Sequence, residues 1–216
     1  MISDDNQNAI AILGGTFDPI HHGHLRLATD LAEQLNLSSL KLMPDYQPMH
    51  RDVPSATPDQ RLEMLKLAIC DNSELDIDDR ELKRKGPSYT LLSLKEIRAE
   101  IGPNAPLYFV LGEDAFGHFD QWHQWQKIIE YAHILVAIRP GVYPDFSRDL
   151  TNFVNNVKYQ GQGYPQTAYG SVVFINNVKL EISSSAIRQK ITEGQSIQYL
   201  LPKKVADYIQ LNKIYS

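Results

Sequence analysis

The chain has 216 residues, 43% of them hydrophobic and 22% charged, a composition that excludes disordered, collagen-like and disulfide-scaffold classes. With 21 Lys plus Arg against 26 Asp plus Glu, the net charge is -5, so no basic field exists to hold a nucleic-acid backbone, and any polyanion must be met locally. The single cysteine, Cys70, can form neither an internal disulfide nor a Cys-based zinc site, and it is expected as a buried thiol in a reducing, cytoplasmic compartment.

Met1-Ile2-Ser3-Asp4-Asp5 lacks the basic-then-apolar pattern of a signal peptide, and the longest apolar run, Ile134–Ile138, is too short to span a bilayer; neither secretion nor membrane insertion is expected. The first apolar run, Ala9–Leu13, reads as a buried strand. A helix from about His24 to Asn36 follows, with Leu27, Leu31 and Leu35 forming one apolar stripe. Leu40–Met43 is the second strand. Thr57-Pro58-Asp59-Gln60 opens the next helix with a capping box and a proline at the first helical position. Leu75–Ile77 is a weaker strand. A helix from about Thr90 through Leu94, Ile97 and Ile101 stops at Gly102-Pro103. Leu107–Leu111, Ile134–Ile138 and Val172–Ile175 are further buried strands. Between the last two, Pro140–Gly170 is rich in Tyr, Asn, Gln, Gly and Pro; it predicts an excursion holding one amphipathic helix (Phe146, Leu150, Phe153, Val154, Val157) and an irregular loop over Tyr159–Tyr169. Helices at about Ser184–Glu193 and Pro202–Asn212 close the chain. Strands alternating with helices predict an α/β fold, a doubly wound parallel sheet with a helical C-terminal tail. It is expected as one domain over 1–216 with an insertion at about 140–170. Such sheets bind ligands beyond the carboxyl ends of their strands.

The chemistry concentrates where the first strand ends, in Gly14-Gly15-Thr16-Phe17-Asp18-Pro19-Ile20-His21-His22-Gly23-His24. Two glycines let the backbone turn and approach a ligand, and the helix start presents N–H groups and a positive dipole end, for which phosphate is the natural guest. His21 and His24, three apart, can face one phosphate chain and donate to oxygens whose charge grows in a transition state. The pattern is neither the GxxxxGK[ST] loop nor GxGxxG. A metal pair is the other reading of the histidines; it lacks an obvious third ligand, His22 and Asp18 being the candidates left open. Near the other end, Ile182-Ser183-Ser184-Ser185-Ala186-Ile187-Arg188 forms a second helix entrance of the same kind, where Arg188 can take two phosphate oxygens; a plain serine cap with a solvated arginine is the alternative.

Together these two motifs resemble the HxGH nucleotidyltransferases, and within them the bacterial nicotinate-nucleotide adenylyltransferases. Six blocks lie between them in the family's order: Pro48-Met49-His50-Arg51, Arg80-Glu81-Leu82-Lys83-Arg84, Pro87-Ser88-Tyr89-Thr90, Gly112-Glu113-Asp114, Gln121-Trp122 and Arg139-Pro140-Gly141. The resemblance implies a Rossmann-like fold and adenylyl transfer from ATP to nicotinate mononucleotide, giving deamido-NAD and pyrophosphate. By the same resemblance His21, His24 and Arg188 are catalytic. Gly14, Gly15, Thr16, Phe17, Gly112, Asp114, Arg139, Ser184 and Ser185 join them on ATP, and His50, Arg51, Tyr89, Thr90 and Trp122 bind the mononucleotide. Trp122 would lie against the pyridine ring, with simple packing as its alternative and as the expected role of Trp125, since Trp125 and Ile129 follow at helical spacing. Magnesium would arrive with ATP rather than in a protein cage. Met49, Asp45 and Tyr46 depart from the family's usual residues, and Ser185 stands where threonine is frequent. Another transferase of the same family, acting on nicotinamide mononucleotide, pantetheine phosphate or a polyol phosphate, and a nucleotide-sensing module without turnover are the competing functions.

Overall fold

A computed structural model of the chain describes residues 9–37, 39–47, 53–138, 146–176 and 180–216. Among these, six strands pair in parallel in the order β3-β2-β1-β4-β5-β6. They are β1 (Ile10–Gly15), β2 (Leu40–Pro44), β3 (Leu75–Ile77), β4 (Leu107–Gly112), β5 (His133–Ile138) and β6 (Val172–Asn176). The strand direction of travel reverses between β1 and β4, which makes the carboxyl ends of these two neighbours the crevice where doubly wound sheets bind ligands.

Both faces are covered, so the central strands β1 and β4 are apolar on both sides, while Lys41 and Asp76 alternate with apolar residues in β2 and β3. Leu107, Phe109 and Leu111 of β4 point into one core layer, with Ile12 and Met43, and Tyr108 and Val110 point into the other, with Ala11, Leu13 and Leu42. The second layer is closed by α1 (His22–Gln34), α2 (Pro58–Ile69), α7 (Ser184–Thr192) and α8 (Lys203–Leu211). Leu91, Leu94 and Ile97 of α4 (Thr90–Ile101) close the first, with Leu150 and Val154 of α6 (Arg148–Val157). Two short helices, α3 (Arg80–Arg84) and α5 (Glu113–Phe116), were not expected. The capping box at Thr57 and Gln60 forms in both directions, and Gly102 ends α4 at φ 81, a conformation glycine adopts without strain.

The excursion carries the expected amphipathic helix, α6, and an irregular stretch that is nevertheless pinned to the amino ends of the strands. Arg98 donates to the carbonyls of Gly102, Ala105, Tyr131 and Ala168. Tyr108 donates to Pro165 O at 2.8 Å, and His133 lies between Thr167 O and the Ser171 N–H. This loop therefore closes the end of the sheet opposite the crevice. Cys70 corrects the sequence expectation, for it is exposed. It caps the end of α2, where the helix leaves the core, and Lys204 Nζ lies 2.9 Å from its sulfur. No helix among the described residues is long and apolar enough to cross a membrane.

Candidate active site

β1 runs through Gly14 and Gly15 and then breaks at Phe17, whose φ of 51 supplies the left-handed turn. A Cβ on Gly14 would sit 2.7 Å from the Phe109 ring, so here the glycine makes room for a core aromatic. Asp18 and Pro19, joined by a cis peptide bond, lead to His21, the extended residue that caps α1.

His21 is 5% exposed. Its Nδ1 accepts the His24 N–H at 3.4 Å, which leaves the proton of the neutral ring on Nε2. Burial, reinforced by His22, lowers its pKa to about 4. The His21 and His24 rings stack at 3.7 Å, 19° from parallel, and Phe17 meets His24 edge-on at 5.1 Å. At Gly23 a Cβ would lie 3.0 Å from the His21 ring, tight enough that the stacked imidazole would have to shift. Face-to-face stacking does not converge two nitrogens on one metal. Asp18 is committed elsewhere, its carboxylate accepting from Ser55 N at 2.8 Å, Ala56 N at 3.1 Å and the Tyr215 hydroxyl at 2.6 Å. Among the described residues, no group of three or more His, Cys, Asp or Glu side chains could hold a metal ion.

The C-terminal motif is joined to this turn. Ser183 caps α7 through the Ala186 N–H, Ser184 Oγ donates to Pro19 O at 2.9 Å, and Ser185 Oγ lies 3.2 Å from Ser183 Oγ. Arg188 Nη1 donates to Asp18 O at 2.8 Å, with the Asp18 carboxylate at 3.9 Å. The His22 N–H donates to Leu200 O at 3.0 Å, bringing in the segment before α8. His21, His24, Thr16, Phe17, Ser184, Ser185 and Arg188 thus share one place.

The turn is braced by Arg61, which no motif of the sequence singles out. Arg61 is fully buried on α2. It donates to Thr16 O at 2.8 Å, Asp45 Oδ1 at 3.3 Å and Tyr46 O at 3.1 Å, and Thr16 Oγ1 donates to Asp45 Oδ2 at 2.7 Å. Asp45, unexpected in that loop, is therefore the counter-charge that lets an arginine be buried there. The same loop carries on toward α4: Tyr46 N donates to Ser88 Oγ at 2.8 Å and Ser88 N to Gln47 O at 3.1 Å. Glu81, buried with Ser93 Oγ at 2.5 Å, has its pKa raised by that burial.

Tyr89 precedes α4, Thr90 is the first helical residue, and among the described residues the Tyr89 side chain makes no capping hydrogen bond to the first turn. The Tyr89 ring packs on His123 at 4.6 Å, setting the Trp122 segment beside this helix start. Trp122 lies between two 3₁₀ turns, Phe119–Gln121 and Trp125–Glu130, so the helical spacing expected of Trp122, Trp125 and Ile129 is not realised. Trp122 meets Phe109 at 6.2 Å and Phe119 at 5.2 Å, while Trp125 packs on Phe153 at 4.9 Å. Gly112 and Asp114 stand at the carboxyl end of β4 and in α5. His50, Arg51 and Arg139 lie outside the described residues.

Residues 12–190 match the family model described as cytidylyltransferase-like. A probable nicotinate-nucleotide adenylyltransferase of Marinomonas sp. is 44% identical over 209 residues, covering 96% of this chain and 95% of that protein. One from Cellvibrio japonicus is 45% identical over 95% of this chain and 98% of its own length. A solved structure of Plasmodium falciparum nicotinic acid mononucleotide adenylyltransferase complexed with NaAD superposes with a TM-score of 0.72 at 20% identity, covering 96% of this chain and 97% of that one; at that identity it speaks for the fold.

Proposed function

The chain belongs to the cytidylyltransferase-like family and to the nicotinate-nucleotide adenylyltransferases within it, and from this premise we propose how its residues divide the work. The reaction is adenylyl transfer from ATP to nicotinate mononucleotide, releasing pyrophosphate and giving nicotinate adenine dinucleotide. A phosphate oxygen of the mononucleotide forms a bond to the α-phosphorus of ATP as the bond from that phosphorus to the bridging oxygen breaks, so charge develops on the leaving pyrophosphate.

The observation that carries the assignment of roles is the union of two helix starts on one turn: His21 and His24 stacked at the start of α1, with Ser184 and Arg188 of α7 bonded to Pro19 and Asp18 of the same turn. The neutral His21 ring offers an Nε2–H donor, and His24 stacks beside it; together they stabilise the α- and β-phosphates as charge moves outward. Arg188 and the Ser184–Ser185 entrance hold the β- and γ-phosphates. Thr16 and Phe17 offer backbone contacts, with Gly14 and Gly15 behind them. Gly112 and Asp114 face the nucleoside, Asp114 as an acceptor for a ribose hydroxyl, and Arg139 is assigned to ATP on the motif alone.

Trp122 lies against the pyridine, and the start of α4 at Tyr89 and Thr90 receives its carboxylate, with His50 and Arg51 on the mononucleotide phosphate. Mg2+ carried by the triphosphate oxygens and water would supply charge neutralisation on the outgoing pyrophosphate. The residues act as one nucleotidyltransferase domain, working in the cytoplasm. The direct test is pyrophosphate release from ATP, which should require added nicotinate mononucleotide. ATP binding without turnover in the presence of mononucleotide would instead identify a sensing module.

A further inference from the structure

Asp18 lies buried in the phosphate-facing turn, and one of the donors that reaches it comes from far along the chain. The Tyr215 hydroxyl donates to Asp18 Oδ1 at 2.6 Å. The segment that delivers it is sharply bent: Lys213 and Tyr215 have φ of 50 and 69, left-handed conformations that side chains larger than glycine rarely adopt. Ile214 between them is buried, and Thr192 Oγ1 of α7 donates to the Tyr215 carbonyl at 3.3 Å. Burial and the negative charge of Asp18 push the hydroxyl's pKa far up, so it remains a donor. Tension in backbone geometry persists where the surroundings hold it, and here what it secures is one hydroxyl on one carboxylate.

That carboxylate has a cationic neighbour. Arg188 Nη1 is 2.8 Å from the Asp18 carbonyl but 3.9 Å from Asp18 Oδ2. Three donors, Ser55 N, Ala56 N and the Tyr215 hydroxyl, already satisfy the buried carboxylate. Without the hydroxyl, the nearest group able to replace it is the Arg188 guanidinium, because a buried charge recruits whatever donor lies in reach.

We propose that Tyr215 is a positioning residue for ATP: as the third donor to Asp18 it keeps Arg188 from closing into an ion pair with that carboxylate and leaves the guanidinium to the triphosphate. The inference rests on the assignment of Arg188 to the ATP phosphates.

Tyr215→Phe keeps the ring and removes one oxygen, so it isolates the hydroxyl. Pyrophosphate release and calorimetric ATP binding, the latter independent of turnover, are measured on the full chain beside a melting curve. An Arg188→Ala chain that binds ATP as tightly as the wild type would sink the underlying assignment, whatever Tyr215 does. With that assignment standing, Tyr215→Phe should raise both the KM and the Kd for ATP about 10-fold, the scale of one hydrogen bond to a charged group, while the mononucleotide KM moves by less than about two-fold. In an Arg188→Ala background the same substitution should change ATP affinity by less than about two-fold, since the group through which it acts is gone. ATP affinity left at the wild-type value, an equal loss for both substrates, or a full loss persisting in the Arg188→Ala background would each overturn the proposal. Should Tyr215→Phe melt early, calorimetry well below its midpoint reads the same ratio on folded protein, and the same outcomes decide.

Discussion

The buried imidazole of His21 makes stability depend on pH in a direction that can be worked out. Its pKa is lowered from 6.5 to about 4 by burial, with His22 adding to the effect. In the unfolded chain the ring titrates near its ordinary value, so between about pH 6.5 and pH 4 the unfolded state binds a proton that the native state refuses. The stabilisation is therefore fully present above about pH 6.5 and is lost as pH falls through that window. At pH 5 the unfolded ring is almost wholly protonated and the native ring about one-tenth so, a loss of about 2 kcal/mol relative to pH 8 by linkage. In a chain of this size that corresponds to about 4–8 °C in Tm.

Other groups act on the same curve. His133, buried and also lowered by burial, works in the same direction, while Glu81, raised by burial, opposes it. The difference between wild type and His21→Asn isolates the His21 part. Melting midpoints at pH 8, 6.5 and 5 at constant ionic strength should show the wild type losing about 4–8 °C more than His21→Asn between the extremes. ATP should in turn raise the His21 pKa by bringing phosphate charge to Nε2, so titration at about pH 5.5 in two buffers of different ionisation enthalpy should show proton uptake that is absent at about pH 8. Parallel pH curves for the two proteins would refute the placement of a neutral, buried His21.

The fold was legible because the central strands are nearly continuous apolar runs, whereas Lys41 in β2 and Asp76 in β3 interrupt the outer ones. β1 shows why: Ala11 and Leu13 face one core layer and Ile12 the other, so burial on both faces leaves no polar residue to blur the signal. The two helix entrances were legible because capping and phosphate binding use short, local patterns, and the structure puts Ser183 at the cap of α7 and His21 at the cap of α1. What was not legible is long-range. Nothing in the helix that carries Arg61 singles it out; only the return of the loop after β2, with Asp45, makes it a buried brace. Tyr215 and Asp18 lie at opposite ends of the chain, and no local pattern announces their bond. The packing need at Gly14 was equally illegible, since room made for Phe109, far along the chain, leaves no local signal. Cys70 was expected inside on the general habit of free cysteines, but as the residue that caps α2 it falls where the helix turns away from the core.

Replacing His24 with Ala should leave the fold intact, because α1 is capped by His21, and should lower kcat at saturating ATP about 10²-fold or more, the scale for one preorganised donor; a near-normal kcat would show that His24 does not meet the developing charge. Arg61→Met should destabilise the chain by about 3–5 kcal/mol in urea unfolding, since it leaves Asp45 with its buried counter-charge removed, and a loss under about 1 kcal/mol would mean that the clamp on Thr16 and Tyr46 is dispensable. The choice between acid and amide depends on the start of α4. A nicotinate carboxylate there gains charge-assisted bonds from first-turn N–H groups that the Tyr89 side chain does not cap, whereas a carboxamide brings no charge and turns its own donors toward them. Losing one or two such bonds, at about 1.5–3 kcal/mol each, implies roughly a 10- to 10⁴-fold preference in kcat/KM for nicotinate over nicotinamide mononucleotide. Thr90 occupies the first helical position, where proline is well tolerated, so Thr90→Pro removes one N–H with little cost to the helix and should erode the preference, while Tyr89→Phe should preserve it. Trp122→Ala should weaken both substrates alike, because stacking hardly reads the charge of the ring substituent. Equal efficiency with the two mononucleotides in the wild type would remove the helix start from the pyridine site while leaving the phosphate chemistry at His21, His24 and Arg188 untouched.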